Sequence, residues 1–352
     1  MSLNIRALTQ LGWSAQLQQQ LSFEEMEQTS PSRVMAIHRG QLVLSNGEEE
    51  VVSPIAGKLL QERDQYEVTV GDWVLLSNDS SAFVRLLDRF SLIQRQSAGT
   101  DKSQQMVGAN VDTMFIVSSC NADFNLSRLE RYLAFAYAAD VYPVIVLTKR
   151  DVADDPQSYA DKAQNLGSNV LVELIDAHDP ATLLGLQDLC TAGQTIALVG
   201  SSGVGKSTLA NTLGATPQKT GSIREDDAKG RHTTTYRSLH ALTNGAVLLD
   251  NPGMRGVGLA DVGEGVAAVF EDIDELAQKC RFSDCRHDQE PDCAVRAAIE
   301  SKELSQRRLN NYSKLMAEQE RNAASIAERR EKEKATVNFH KKVQAHKRSY
   351  KG

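Results

Sequence analysis

Eight consecutive residues, Gly200-Ser201-Ser202-Gly203-Val204-Gly205-Lys206-Ser207, follow the spacing Gly-x4-Gly-Lys-Ser/Thr. Such a run can hold phosphate. Its glycines let the backbone turn until successive N–H groups face one phosphate group. Lys206 then brings a cation to the β- and γ-phosphates, and Ser207, followed by Thr208, offers a hydroxyl to Mg²⁺. The flanks agree, with the apolar run of residues 196–199 before the loop and the helical sequence STLANTL after it. A chance Gly-rich turn is the bland alternative, and motif and flanks together weigh against it. The pattern alone does not separate ATP from GTP.

Three further constellations narrow the chemistry. Asp250-Asn251-Pro252-Gly253 follows the apolar run AVLLD. There a carboxylate can hold Mg²⁺ through water, and the Gly253 N–H can meet the γ-phosphate. Gly230-Arg231-His232-Thr233-Thr234-Thr235 lies in a polar stretch suited to a switch loop. One of its threonine hydroxyls, with Thr234 as the candidate, would complete the Mg²⁺ shell when GTP is bound. A Thr run by itself is as readily a turn or a strand edge. Thr148-Lys149-Arg150-Asp151 ends the run VIVL and fits Asn/Thr-Lys-x-Asp. The Asp151 carboxylate can accept from guanine N1–H and the exocyclic amine, a pair of donors adenine does not offer. The Lys149 stem can lie along the base. Alone, four residues would more often cap a helix, but here they occupy a strand end where parallel sheets bind ligands.

The order of these motifs is unusual. The base motif precedes the phosphate loop, and no second copy follows Asp250. A GTP-binding sheet whose chain has been cut and rejoined accounts for that order, since new termini at surface loops are tolerated.

Cys280-x4-Cys285-x-His287-x5-Cys293 offers three thiolates and one imidazole, a closed set suited to tetrahedral structural Zn²⁺. Three unrelated cysteines and a surface histidine are the alternative. The other two of the five cysteines, Cys120 and Cys190, fall on apolar framework and read as core. An odd count without a secretory leader does not form a disulfide framework.

The elements that must position these groups follow from patterning. Residues 1–31 are polar and Gln-rich, a short helix or a mobile arm. Residues 32–95 alternate in short runs broken by turns, which predicts a small β-barrel of OB-fold type. A polar linker is expected over 94–108. Strands alternating with helices predict a parallel α/β GTPase domain over 96–270. A metal-binding and mainly helical domain is expected over 271–328, then a basic tail over 329–352. That tail holds nine Lys or Arg against Glu331 and Glu333, on a body more acidic than the overall charge of −7 suggests. Such asymmetry is a pattern for contacting nucleic acid. The apolar stretch over 132–147 is broken by Asp140 and Pro143, so no membrane span is expected. Without a targeting signal, the cytoplasm is the expected compartment.

Taken in order, GANVD (Gly108 to Asp112), TKRD, GSSGVGKS, GRHTTT, DNPG and the Cys/His cluster resemble the ribosome small-subunit-dependent GTPase A family over Arg33 to Cys293. The resemblance implies an N-terminal OB-fold, a permuted GTPase and a zinc domain. It also implies slow intrinsic hydrolysis stimulated by the small ribosomal subunit, contact with its rRNA, and a late maturation or checkpoint role for a monomer. Many GTPases place a water-orienting Gln after Asp-x-Pro-Gly; here that position is Met254, and the family points to His232 instead. A Ser-Ala-like second base contact is replaced by Leu174-Ile-Asp176-Ala177-His178, which leaves that contact open. Lys341, Lys342, Lys347, Arg348 and Lys351 either meet rRNA phosphates or form a solvated tail. Trp73 and Phe83 are as readily core residues as base-stacking ones. An RNA-binding scaffold that uses nucleotide as a structural ligand is the alternative function. A metabolic P-loop kinase is disfavoured by TKRD and the cluster.

Overall fold

The computed structural model describes residues 4–38, 41–54, 67–96, 104–215, 237–250 and 262–322. The chain divides into two compact units, residues 1–258 and 259–352.

The first unit opens with three short helices, α1 (Ile5–Gln10), α2 (Ala15–Gln18) and α3 (Phe23–Gln28). Side chains of Asn4, Ser14 and Ser22 cap their N-termini, and Ser22 with Glu25 forms a reciprocal capping box. Leu8, Trp13 and Leu17 bury themselves against Trp73, Leu75 and Leu87. Trp13 meets Trp73 edge-on at 5.0 Å between ring centroids. The residues expected as a short helix or mobile arm are therefore a docked layer. Each helix is too short to display a helical period, so the sequence reads as featureless.

Five antiparallel strands follow: β1 (Thr29–His38), β2 (Gln41–Ser45), β3 (Glu50–Pro54), β4 (Trp73–Ser77) and β5 (Phe83–Leu86). β1 pairs with both β2 and β4, β2 with β3, and β4 with β5. Val34, Leu42, Leu44, Val74 and Leu76 fill the space inside, with Phe83 packed against them. Trp73 is fully buried, so neither it nor Phe83 forms an exposed stacking ladder. The polar linker expected over 94–108 is corrected: β6 (Leu92–Gln96) and β7 (Gln104–Ala109) pair as a hairpin. Arg95 Nε and Nη2 donate to the side-chain Oε1 of the facing Gln105 at 3.2 and 3.0 Å. Polar cross-strand pairs carry no apolar alternation by which a strand is recognised.

The α/β layer contains β8 (Thr113–Ser119), α4 (Leu126–Tyr137), β9 (Tyr142–Thr148), α5 (Pro156–Gln164), β10 (Leu171–Leu174), α6 (Leu184–Asp188), β11 (Thr195–Val199), α7 (Lys206–Thr212), β12 (Ser238–Ala241) and β13 (Val247–Asp250). In space the strands run β10-β9-β8-β11-β13-β12, parallel except for β12. All seven residues of β8 are buried, as a strand covered on both faces requires. The phosphate-loop strand β11 is central, and the three strands on one side of it, β8, β9 and β10, precede it in the chain. Joining the end of β13 to the start of β8 would restore an order beginning at β11. That is a circular permutation. β12 also pairs with β1 at Ser238 and Ala36, so barrel and GTPase strands form one 11-stranded sheet.

A buried polar knot sits where barrel and α/β layer meet. Arg33, 1% exposed, donates to the carbonyls of Asn110 (2.9 Å), Gly71 (3.4 Å) and Leu11. Asn110 in turn donates to Gly71 O at 3.0 Å. A side chain at Gly71 (φ +92°) would strike the Ala109 carbonyl at 2.1 Å. Burial lowers Arg33 to about 10, opposed by Asp112 and Asp72, so it stays charged at neutral pH. Arg33→Leu is expected to destabilise this unit by about 3–5 kcal/mol, because the carbonyls of Asn110 and Leu11 lose this charged donor and Asp72 and Asp112 lose a neighbouring cation. A urea midpoint within error of the parent would contradict that.

The second unit contains α8 (Gly263–Val269), α9 (Glu271–Ala277), α10 (Ala294–Glu300) and a helical stretch over 306–322. Arg308 ties this last stretch to α8 and α9, pairing with both Asp272 oxygens (2.7 and 2.8 Å), donating to Val269 O and lying 4.8 Å over Phe270. Among the described residues no helix is long and apolar enough to cross a membrane.

Candidate nucleotide site and metal centre

The phosphate loop joins β11 to α7 at the carboxyl edge of the sheet, where ligands of such sheets bind. Its shape depends on glycine. Gly200 has φ +141°, and a Cβ there would lie 2.1 Å from the Val117 carbonyl of the adjoining strand. Gly205 adopts a left-handed conformation (φ +97°) at the start of α7. Val204 is 1% exposed and anchors the loop in the core, while Ser202 and Gly203 face solvent. Ser207 and Thr208 stand in the first turn of α7. Lys206 Nζ donates to the Gly200 and Ser201 carbonyls at 2.8 and 2.5 Å, so the ammonium lies over the loop itself.

The base motif is bonded to this loop. Thr148, fully buried at the end of β9, donates to Val204 O at 2.6 Å. Lys149 takes a left-handed conformation (φ 59°), and its Nζ donates to Gly203 O at 2.8 Å. Arg150 and Asp151 follow in a 3-10 turn, with Asp151 exposed. Residues 54 and 56 apart in sequence are therefore bonded, because β9 and β11 end on the same edge with only β8 between them. The segment 174–178, left open as a second base contact, comes to the same place. Ile175 N donates to Leu147 O at 2.8 Å, Arg150 N to Ile175 O at 3.4 Å, and Thr212 Oγ1 to Ala177 O at 2.7 Å.

Asp250 ends β13, directly beside the loop-bearing strand, and faces Ser238 across the sheet. His240 Nε2 lies 2.9 Å from Ser238 Oγ and 3.9 Å from the Asp250 carboxylate. Gly253, Met254, His232 and Thr233 to Thr235 lie outside the described residues, as does the tail from 329 onward. One participant escaped sequence reasoning. Arg128, in the first turn of α4, donates to the Ser201 hydroxyl. The signal was a cation placed against the helix macrodipole, five residues after Asp123.

In the second unit, the ligand atoms of Cys280, Cys285, His287 and Cys293 lie within 4.8 Å of one another. Cys280 Sγ is 3.8 Å from Cys293 Sγ and 3.7 Å from His287 Nδ1, which is 3.4 Å from Cys293 Sγ. His287 (φ 62°) and Asp292 (φ 58°) take left-handed backbone conformations that turn the loop inward. Burial works to raise the Cys280 thiol, but N–H groups of Val295 and Ala294 and the neighbouring thiols bring it below its ordinary value. Cys285 is pushed up to about 11 by desolvation and by the thiols of Cys293 and Cys280. Three sulfurs and one imidazole converging at this range form a donor set that fits a metal. Cys120 and Cys190 are buried, and burial raises them to about 11 and 12, as core thiols.

The chain is similar to known proteins along nearly its whole length. A family model described as RsgA GTPase matches residues 86–260. An ABC transporter model matches residues 186–335, a span that includes the phosphate loop common to P-loop ATPases. The Small ribosomal subunit biogenesis GTPase RsgA 2 of Vibrio vulnificus is 47% identical over 98% of this chain and 97% of its own. The Small ribosomal subunit biogenesis GTPase RsgA of Mesorhizobium japonicum is 44% identical over 90% and 91%. The crystal structure of YjeQ from Thermotoga maritima shares the fold, with TM-score 0.62 and 23% identity, over 83% of this chain and 98% of that one. YloQ, titled a circularly permuted GTPase, superposes with TM-score 0.57 at 23% identity, over 83% and 95%. With these relatives and this strand order together, the chain belongs to the RsgA GTPase family and is a GTPase of circularly permuted topology.

Proposed function

We propose that this GTPase acts on the maturing small ribosomal subunit, binding in its GTP form late in assembly and leaving after hydrolysis stimulated by the subunit. The observation that supports the reading is the bonding of Thr148 and Lys149 to the Gly200–Ser207 loop, which joins the two sequence motifs. The printed names of relatives that span almost the whole chain supply the ribosomal side.

In this reading Asp151, Lys149 and the 174–178 loop hold guanine, and loop N–H groups with Lys206 hold the β- and γ-phosphates. Ser207, Thr234 and, through water, Asp250 would hold Mg²⁺, which neutralises charge on the transferred phosphoryl group. Water attacks γ-phosphorus in line, the bond to the β–γ bridging oxygen breaks, and GDP and phosphate remain. His232 would orient that water, and the Gly253 N–H would donate to the γ-phosphate. Cys280, Cys285, His287 and Cys293 would hold one structural Zn²⁺. The barrel of residues 32–95 and the basic tail contact rRNA, the tail chiefly through phosphates and in a salt-dependent way. The protein works as a cytoplasmic monomer.

The test is turnover of GTP and of ATP with and without purified small subunits. GTP is expected to be preferred and its turnover raised by the subunits. Turnover indifferent to them, with nucleotide still bound, would leave a scaffold role in place of the cycle. Base recognition has its own test. Asp151→Asn removes an acceptor for two guanine donors and supplies an amide that can donate to the C2 carbonyl of xanthine. GTP affinity is expected to fall by roughly 10²-fold or more, with XTP affinity rising, since hydrogen bonds to a charged group contribute about 1.5–3 kcal/mol each. Unchanged GTP affinity in a titration would remove Asp151 from the site.

A further inference from the structure

Arg128 occupies the third position of α4, behind the Asn125 cap, where a cation meets the positive end of the helix macrodipole. Its local return is an ion pair: Nη1 lies 2.9 Å from both carboxylate oxygens of Asp123, five residues earlier. The same nitrogen also donates to the Ser201 hydroxyl, 73 residues away. Asp123 is itself set by the turn leaving β8, where its N–H donates to Asn121 Oδ1 at 2.9 Å. Ser201 is thus held at both ends, its hydroxyl by Arg128 and its carbonyl by Lys206. The loop glycines leave the backbone with little conformational preference of its own.

We propose that Arg128 is a positioning residue for the phosphate loop. Acting through the Ser201 hydroxyl, it fixes the peptide between Gly200 and Ser201, and with it the direction of the loop N–H groups, before a nucleotide arrives. Arg128 touches no nucleotide in this arrangement, and Asp123 neutralises its charge. The gain is preorganisation: the loop is not ordered at the expense of binding. The inference rests on the reading that this loop holds GTP. Loop N–H groups meet phosphates present in both GDP and GTP, so the effect belongs to both ligands.

The test is a double-mutant cycle on nucleotide affinity with Arg128→Ala, Ser201→Ala and the pair, in the full-length protein. Each single variant is expected to weaken GDP and GTP binding alike, by about 10-fold. The pair should lose no more than either single variant, and Arg128→Lys should recover part of the loss by restoring a charged donor. A merely structural role would lower the melting temperature without coupling the two positions. Additive losses, unchanged affinity, or a loss confined to GTP and to kcat would overturn the proposal; the last would mean direct contact with the terminal phosphate. Lys206→Ala in the same assay separates the two failures. If it leaves nucleotide binding intact, the loop is not the nucleotide site, and both readings fall. If it abolishes binding while Arg128→Ala does nothing, only the role of Arg128 falls.

Discussion

Lys206→Ala is expected to lower GTP turnover by roughly 10²- to 10³-fold, the scale seen when one preorganised electrostatic partner of a transition state is removed. The argument starts from where Nζ lies. The ammonium rests on the Gly200 and Ser201 carbonyls at 2.8 and 2.5 Å. It therefore stands over the mouth of the loop, and bound phosphate oxygens would offer it better partners than two neutral carbonyls. Charge on the transferred phosphoryl group is spread over its oxygens in the transition state, and a fixed cation there needs no reorganisation. Lys206→Arg separates charge from shape. The guanidinium keeps the charge but is a planar fork in place of a compact point, so only partial recovery is expected. Single-turnover kinetics on both variants at saturating GTP is the measurement. Turnover of Lys206→Ala within a few-fold of the parent would take this lysine out of the chemistry.

Metal removal should have the other large effect, on folding and not on nucleotide chemistry. The Cys/His cluster closes the connection between α9 and α10, with Cys293 at the residue that caps α10. Bound structural Zn²⁺ contributes on the order of 10–16 kcal/mol at pH 7 in small domains, and such binding energy is folding energy. A chelator is expected to release one Zn²⁺ per chain and to reduce far-UV helical signal by the share belonging to residues 262–322. Cys293→Ser should reproduce the loss without chelator. GDP binding should survive, because every residue proposed to touch nucleotide lies in the first unit. Metal-free protein with the full helical signal would show that α9 and α10 stand without the cluster. Then the Arg308 contacts with Asp272, Val269 and Phe270 would be holding the unit alone.

Much of the site was legible before any coordinates, because its motifs are local. The phosphate loop, TKRD and the Cys/His cluster each fit within 14 residues, and their chemistry follows from residue type at fixed spacing. The out-of-order motifs were enough to imply permutation, and the strand order β10-β9-β8-β11-β13-β12 is its spatial counterpart. Strands buried on both faces were legible as apolar runs, and β8 and β9 lie where those runs do. Sequence alone thus determined the chemistry available to this protein and the class of sheet that carries it.

Tertiary structure decided what meets what. Arg128 and Ser201, Arg33 and Asn110, and β1 and β12 are joined across 73, 77 and about 200 residues, by contacts no short-range pattern encodes. The hairpin β6–β7 and the docked α1–α3 layer escaped notice for a related reason. Polar strand pairs and one-turn helices are stabilised by partners far along the chain, and their own sequences carry almost no period. The segment 174–178 was left open by residue type, since Leu174 to His178 matches no familiar contact. The sheet nevertheless sets it beside Lys149 and Arg150, because β9 and β10 are neighbours that end on one edge. Local spacing specifies which groups can react; only the pairing of strands, through backbone hydrogen bonds and burial, specifies which of them share a crevice.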